Sequence, residues 1–424
     1  MTQVLYHMAM SVAAPIGATW LRMQPARRPL LARFDPPVPP MDGRPLWVQA
    51  CSMGEVGTAK PLILAFLRRH PDVPVLLTAS TMTGHAQAEA LRDRVHVSWF
   101  PVDQGKVVRR FLDRARPRAL VLIETELWPT VIREAARHDC STVLLNGRIS
   151  DKHYPRYRRF RPVLAPAFEE LTAVGAQNGE YAERLASLGT PRERIRVTGS
   201  TKFDGVLTTV DGATQSALRA SLGFPDGAPV LVFGSTRPGD EALAATCWKT
   251  LRDAFPDLRL VVAPRHLDRL AEVLAVFQEP VLLRSATKAG TRSHGERVIV
   301  LDTMGELVAF YALATVAVVG GSFYPGVNGH NPLEPAALGV PTVFGPYMRN
   351  FIDPARVLLE CRGAVQVPSP EGLAATLECL LRDADARDRL SRRGQRGVLD
   401  NQGAIERSLD LLDGVLGLGA CETP

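Results

Sequence analysis

The chain has 424 residues, of which 22% are charged and 46% hydrophobic, values that exclude a disordered or fibrous protein and at this length favour two domains. A formal charge of +6 and a pI of about 9.1 favour an anionic partner. The cysteines (Cys51, Cys140, Cys247, Cys361, Cys379, Cys421) are far apart and form no CxxC pair, which argues against a zinc site or a disulfide framework and fits a reducing compartment.

From Val4 to Leu21 there is no Asp, Glu, Lys or Arg, and Arg22, Arg27, Arg28 and Arg33 follow at once. A secretory signal carries its charges before the apolar run, not after it. The order here predicts an uncleaved membrane-anchoring segment over residues 1–22, its basic flank drawn to anionic headgroups. His7 and Pro15 interrupt the stretch, so the pattern fits either a span or a helix lying on the membrane. A partly buried N-terminal helix of a soluble protein would read the same way. Asp35–Pro40 then reads as an extended, Pro-rich linker.

After the linker, short apolar runs alternate with amphipathic stretches such as Ala59–Arg69 and Lys106–Ala115. Leu46–Ala50, Val75–Thr78, Leu120–Ile123, Thr142–Leu145, Ala173–Gly175 and Arg196–Thr198 read as strands of a first series. Val230–Phe233, Arg259–Val262, Val298–Leu301, Val316–Val319, Thr342–Phe344 and Ala364–Val367 form a second. Repeated βα units imply an α/β fold with parallel sheets covered on both faces. The break between the series falls in the polar stretch Asp204–Asp226. The predicted architecture is two doubly wound, Rossmann-like domains, residues 41–205 and 226–424, facing each other across a cleft. Ligands of open α/β sheets bind beyond the carboxyl ends of the strands, so the residues that follow these runs are the candidates for chemistry.

Ser52-Met53-Gly54-Glu55 follows the first strand. Glu55 suits a general base, although Ser52 and Glu55 also have capping-box spacing. Thr303–Glu306 and Asn331–Glu334 share that spacing. Ile123-Glu124-Thr125-Glu126-Leu127-Trp128-Pro129 puts two carboxylates at a strand-to-helix junction, where they could tune each other's ionisation or complement the helix dipole. Lys202 stands in Thr198–Asp204, near the domain junction, where a cation would meet a phosphate or carboxylate. In the second half, Thr236-Arg237 and Pro264-Arg265-His266 each follow a strand, and an arginine there can bind phosphate with two parallel hydrogen bonds. Gly320–Pro335 is a strand exit into a glycine-rich turn, with Asn331 as cap, Pro332 at the first helical position and Glu334 in the first turn. Such a turn can hold phosphate on amides while the carboxylate takes ribose hydroxyls. Basic runs at Lys106–Arg118 and Arg148–Arg161 carry no aromatic stacking pattern, which favours a phosphorylated lipid over nucleic acid.

Taken together, Ser52–Glu55, Glu124–Pro129, Asn178–Glu180, Val197–Asp204, Pro264–His266, Asp302–Leu307 and Gly329–Pro335 resemble, in family order, the 3-deoxy-D-manno-octulosonic acid (Kdo) transferases of lipopolysaccharide assembly. The resemblance runs from about Leu46 to Gln402. It implies a GT-B glycosyltransferase fold, with the acceptor on the N-terminal domain and CMP-Kdo on the C-terminal one. The implied reaction inverts the anomeric centre and moves Kdo onto a glucosamine hydroxyl of a lipid A precursor (lipid IVA) at the cytoplasmic face of the inner membrane. The implied partners are CMP-Kdo, lipid IVA and the anionic inner-membrane surface. Glu55 would be the base, Glu126 (or Glu124) would support charge at the reacting sugar, and Lys202 would stabilise the transition state. Pro264, Arg265, Met304, Gly305, Glu306, Asn331, Pro332, Leu333 and Glu334 would hold CMP-Kdo. Neither a cofactor nor a metal is implied, since CMP-Kdo is a substrate. The chain departs from many family members at Gln49 (His), Thr236-Arg237 (Thr-His) and Asn328-Gly329 (Gly-Gly). Two other readings are a GT-B transferase of a different CMP-activated ulosonic acid and a catalytically silent lipid A-binding protein.

Overall fold

The computed structural model describes residues 2–125, 127–288, 290, 293 and 295–418. The chain divides into two compact units, 1–204 together with 402–424, and 205–401. The first holds a seven-stranded sheet made of β1 (Leu46–Gln49), β2 (Val75–Ala79), β3 (His96–Trp99), β4 (Ala119–Ile123), β5 (Ser141–Gly147), β6 (Ala173–Ala176) and β7 (Ile195–Val197). The second holds β8 (Val230–Thr236), β9 (Arg259–Pro264), β10 (Val281–Leu283), β11 (Val298–Val300), β12 (Val316–Val319), β13 (Thr342–Phe344) and β14 (Ala364–Gln366). The orders are β3-β2-β1-β4-β5-β6-β7 and β10-β11-β9-β8-β12-β13-β14, with every pair parallel. Strands buried on both faces need continuous apolar runs, which is why Ala119–Ile123 and Val316–Val319 are buried along their whole length.

The strand order reverses between β1 and β4 in the first sheet and between β8 and β12 in the second, where β11 is in addition inserted between β9 and β10. Ligands of open α/β sheets bind at these reversals. Ser52–Glu55 follows β1 and Glu124–Pro129 follows β4, whereas Ser235–Arg237 closes β8 and Gly320–Glu334 follows β12. The fold therefore carries the candidate residues to one such edge in each unit.

The structure differs from the sequence expectation in three places. β3 and β10 were not anticipated; both are edge strands, and β3 contains His96 and Ser98, so its apolar signal is weak. The C-terminal helix Ala404–Leu416 belongs to the first unit, which corrects the second domain's expected range of 226–424. Leu409, Leu411 and Leu412 enter the core beside Leu62 and Phe66 of the helix Met53–Arg69. Asp204 caps that C-terminal helix from a distance, its Oδ1 and Oδ2 accepting from the Gly403 (2.8 Å) and Ile405 (2.5 Å) amides. Arg69 ion-pairs with Glu406, Asp410 and Asp413 along it. Finally, the Pro-rich linker packs against the first unit, with Val38 and Met41 on its core and the Pro37 carbonyl accepting from Ser98 Oγ at 2.5 Å.

Candidate active site

In the first unit the exit of β1 rests on a buried polar relay. Trp47 Nε1 donates to Thr78 Oγ1 (2.8 Å), Thr78 Oγ1 to Gln49 Oε1 (2.8 Å), and Gln49 Nε2 to Ser80 Oγ (3.0 Å). A satisfied buried network of this kind holds a single geometry, and it lies just upstream of Ser52. The capping box forms as its spacing suggests. Ser52 Oγ accepts from the Glu55 amide (3.4 Å) and donates to Glu55 Oε1 (3.2 Å), while Glu55 Oε2 accepts from the Cys51 amide (2.7 Å). The Glu55 carboxylate is thus oriented at the first turn of its helix while remaining partly exposed. The next loop is tied to this one, as Thr81 Oγ1 donates to the Cys51 carbonyl (2.9 Å). A Cβ on Gly84 would collide with that same carbonyl, so the close approach requires glycine there.

At the exit of β4, Glu124 holds a left-handed backbone conformation, φ 63°. Asn146 at the end of β5 does the same at φ 54°. Such non-glycine residues each cost roughly 1–3 kcal/mol and gather where structure is spent on function. Here the cost is met by hydrogen bonds. The Glu124 amide donates to the Leu145 carbonyl (3.0 Å), and Asn146 Oδ1 accepts from the Thr201 amide (3.2 Å). The Arg148 guanidinium stands 3.9 Å from Glu124 Oε2. Trp128 closes this loop between Phe100, with ring centroids 5.2 Å apart, and the Arg33 guanidinium. Glu126, the favoured second carboxylate, lies outside the described residues. Lys202 sits in the turn after β7, half-buried, on the first unit's carboxyl edge. Asn178, by contrast, has a local explanation: it caps Gly179–Leu188, its Oδ1 accepting from the Tyr181 amide at 2.8 Å.

In the second unit, a cavity of about 440 Å³ opens at the carboxyl ends of β8, β9, β11 and β12. Of the nine residues expected to hold the donor, Pro264, Arg265, Met304, Gly305, Asn331 and Glu334 line it. Glu306, Pro332 and Leu333 do not. Glu306 turns aside to Arg284 (2.9 Å) and Lys288 (3.4 Å). Burial opposes its ionisation, but Arg284, Thr303 and Lys288 outweigh burial and hold the carboxyl below its usual range. Leu333 opens the short helix Leu333–Ala337 and is fully buried, with Pro332 immediately before it. Asn331 Oδ1 accepts from the Leu333 amide (3.1 Å), and its Nδ2 donates to Glu334 Oε1 (3.2 Å). Burial pushes the Glu334 carboxyl up, while Asn331 and Arg265 pull it back.

Three residues that were not singled out as ligands complete this edge. His330 lines the cavity, and its imidazole is lowered to about 4 by burial and by the neighbouring Arg237, Arg265 and His266. It is therefore neutral near pH 7 and stands among cations, where an incoming anion would be stabilised. Ser235 lines the cavity from a left-handed backbone, φ 56°. Asp240 lies beneath, fully buried, its Oδ2 accepting from the Gly321 (2.6 Å) and Arg237 (2.9 Å) amides, so that one carboxylate ties the two loops together. Burial raises it to about 6. His330 stood inside the quoted motif and could have been found there; Ser235 and Asp240 carry no spacing signal of their own. Among the described residues no group of three or more His, Cys, Asp or Glu side chains is arranged to hold a metal ion.

Two Rossmann-like units, each bearing polar residues at a reversal of strand order, are the halves of a GT-B fold, and solved structures of that fold match most of the chain. One is a glycosyltransferase from Rickettsia africae, with a TM-score of 0.58 at 9% sequence identity over 88% of this chain and 99% of that one, a likeness of fold alone. Residues 23–205 match the model of the family described as 3-deoxy-D-manno-octulosonic-acid transferase (kdotransferase). The chain is 31% identical to the 3-deoxy-D-manno-octulosonic acid transferase of Haemophilus influenzae over 88% of its own length and 87% of that protein's. It is 33% identical to that of Bordetella pertussis over 95% of its length and 94% of that protein's. The chain belongs to the Kdo transferase family of lipopolysaccharide biosynthesis and is a glycosyltransferase.

Proposed function

We propose that this protein transfers Kdo from CMP-Kdo to a hydroxyl of the glucosamine disaccharide of lipid IVA, with inversion, at the cytoplasmic face of the inner membrane. The observation that carries the reading is the second unit's cavity, where Arg265 and Glu334 stand together with Asn331 and the Met304-Gly305 turn. A cation for phosphate, a buried carboxyl for sugar hydroxyls and a turn that leaves room for a ring are the groups that a nucleotide-activated acidic sugar requires. Membership of the Kdo transferase family supports the choice of sugar.

In this reading Glu55 accepts the proton of the acceptor hydroxyl as its oxygen bonds to the ketosidic carbon. The bond from that carbon to the CMP phosphate oxygen breaks, and CMP leaves with the electron pair. Lys202 offsets charge on the donor's carboxylate or phosphate, and Glu126, or Glu124, supports the positive charge developing at the sugar. CMP is a good leaving group, so positioning and charge suffice for this reaction and the reading assigns no metal ion. The hydrogen bonds from Cys51 and Ser52 to Glu55 are compatible with the role, because they orient the carboxylate without protonating it.

The test is incubation of the purified protein with CMP-Kdo, generated in situ, and lipid IVA, followed by mass spectrometry of the lipid. Stepwise gains of the Kdo mass in wild type, lost in a folded Glu55→Gln variant, are expected. A gain with another CMP-activated ulosonic acid but not with CMP-Kdo would replace the donor. Equal gains in both proteins would reduce Glu55 to a helix cap.

A further inference from the structure

The loops that leave β1 and β4 are held by more than their own local hydrogen bonds. The chain before β1 forms the helix Thr2–Arg22 and the 3-10 helix Pro25–Phe34. It reaches the carboxyl edge of the first unit through two side chains, Arg33 and Tyr6. Arg33 is half-buried. Its Nε donates to the Phe100 carbonyl (3.0 Å) and its Nη1 to the Ser80 carbonyl (3.4 Å), while its guanidinium lies 5.9 Å from the centroid of the Trp128 ring. Its own carbonyl accepts from the Val102 amide at 2.9 Å. One residue thus touches the segments that follow β2, β3 and β4.

From Ser80 the contacts run on to Glu55. The Ser80 (3.3 Å) and Thr81 (3.2 Å) amides donate to the Cys51 carbonyl, and the Cys51 amide donates to Glu55 Oε2 (2.7 Å). The Ser80 hydroxyl also closes the buried relay that starts at Trp47. A guanidinium suits this junction because its planar fork can serve two carbonyls while facing an aromatic ring; an ammonium group cannot.

The second contact acts on the loop after β4. That loop ends in the helix Pro129–Arg137, whose N-cap position is Trp128, a residue that gives no side-chain cap. The first amides of a helix need acceptors from elsewhere, and Asp103 supplies them. Its Oδ2 accepts from the Thr130 amide (3.2 Å) and its Oδ1 from the Val131 amide (2.8 Å). Asp103 is buried, and the Tyr6 hydroxyl donates to its Oδ2 at 2.6 Å. Tyr6 therefore steadies the carboxylate that caps the helix, and the helix start carries Trp128. Just upstream, Glu124 keeps its left-handed backbone, a conformation that persists only where the surroundings over-determine it.

We propose that Arg33, Asp103 and Tyr6 are positioning residues for the reaction, fixing the loops after β1 and β4 against each other so that the N-terminal segment is a working part of the first unit's candidate edge. None of the three lines the second unit's cavity, so their effect falls on turnover and spares donor binding. The proposal rests on the reading of Glu55 given above, but half of its test requires no reaction.

Full-length Arg33→Ala and Tyr6→Phe are compared with wild type by amide hydrogen exchange and by Kdo transfer to detergent-dispersed lipid IVA. Exchange should quicken in Arg33→Ala over residues 51–55 and 127–131, in Tyr6→Phe over 127–131 alone, and in neither over 300–340. Faster exchange throughout the first unit, or only beside the substituted residue, would overturn the proposal. The turnover number of Arg33→Ala should fall about tenfold or more, as expected for a displaced reacting group, with KM for CMP-Kdo unchanged. An unchanged turnover number, or a change confined to KM, would overturn it. Within Glu55→Gln the same substitution should cost a smaller factor than in wild type, because part of what it positions is gone. An equal factor would mean that it only removes folded protein, and would overturn the proposal. Absence of transfer by wild type would refute the reaction itself, while the exchange pattern would still decide whether the brace exists.

Discussion

The two candidate edges solve the same positioning problem in different ways. In the second unit the residues converge on one open cavity, where burial changes their chemistry: Glu334 is raised, His330 lowered, and Asp240 binds the two flanking loops beneath. In the first unit Glu55, Glu124 and Lys202 stand on separate loops, each held by its own local device of capping box, left-handed turn or strand-end turn. On the proposed reading, the difference teaches that binding is built into one edge by desolvation and cation clustering. On the same reading, reactivity is built into the other by orientation, which leaves its side chains partly exposed.

The sharpest way to break this contrast is Glu55→Gln, which keeps the capping hydrogen bonds and removes the base. The turnover number should fall by about 10²–10⁴ with no change in melting temperature, as measured by a lipid mass-shift time course and a thermal melt. An unchanged rate would leave the first edge with structure only. Next in size, Arg265→Ala removes a charge-assisted contact worth about 1.5–3 kcal/mol. It should raise KM for CMP-Kdo by about one to two orders of magnitude and spare the turnover number at saturation. A loss confined to turnover would move Arg265 from binding to reaction.

Gly234→Ala tests the scaffold beneath the cavity. A Cβ there would overlap the hydroxyl of the fully buried Tyr311, so urea denaturation should show a loss of about 1–3 kcal/mol. Asp204→Ala tests the first unit, where it uncaps the C-terminal helix at a cost of about 1 kcal/mol. Limited proteolysis should then cut near Gly403 before any other new site appears.

The smallest effect is a slope in pH. The folded His330 imidazole titrates at about 4 against an ordinary 6.5, so between these values the unfolded chain binds the extra proton. His330 therefore makes stability fall as pH drops through that window. In His330→Asn the fall should be shallower, as read from denaturant midpoints across the window; parallel profiles would mean that folding does not lower the imidazole at all.

Much of this was legible in the residues. Strand runs such as Leu120–Ile123 and Val316–Val319 announce themselves because a doubly covered parallel strand must be apolar throughout. β3 does not, because His96 and Ser98 break its apolar run, and β10, Val281–Leu283, offers a run of three residues. The spacing of Ser52 to Glu55 predicts the cap that forms. For Glu306 the same spacing misleads, because Arg284 and Lys288, some twenty residues upstream in sequence, draw the carboxylate away from the cavity.

By itself the sequence determined the class of fold, the two series of βα units and the family, since these rest on local periodicity and on motifs read in order. Only the tertiary structure decided which sheet receives the C-terminal helix, since an amphipathic stripe looks the same whichever core it covers. It also decided which face of the N-terminal helix meets protein, as Ala14 and Ala18 do while Ile16 and Trp20 do not. And it decided that His330 lines the cavity with Asp240 buried beneath, because an ionisable group acquires its character from what surrounds it in space, and those neighbours lie far away along the chain.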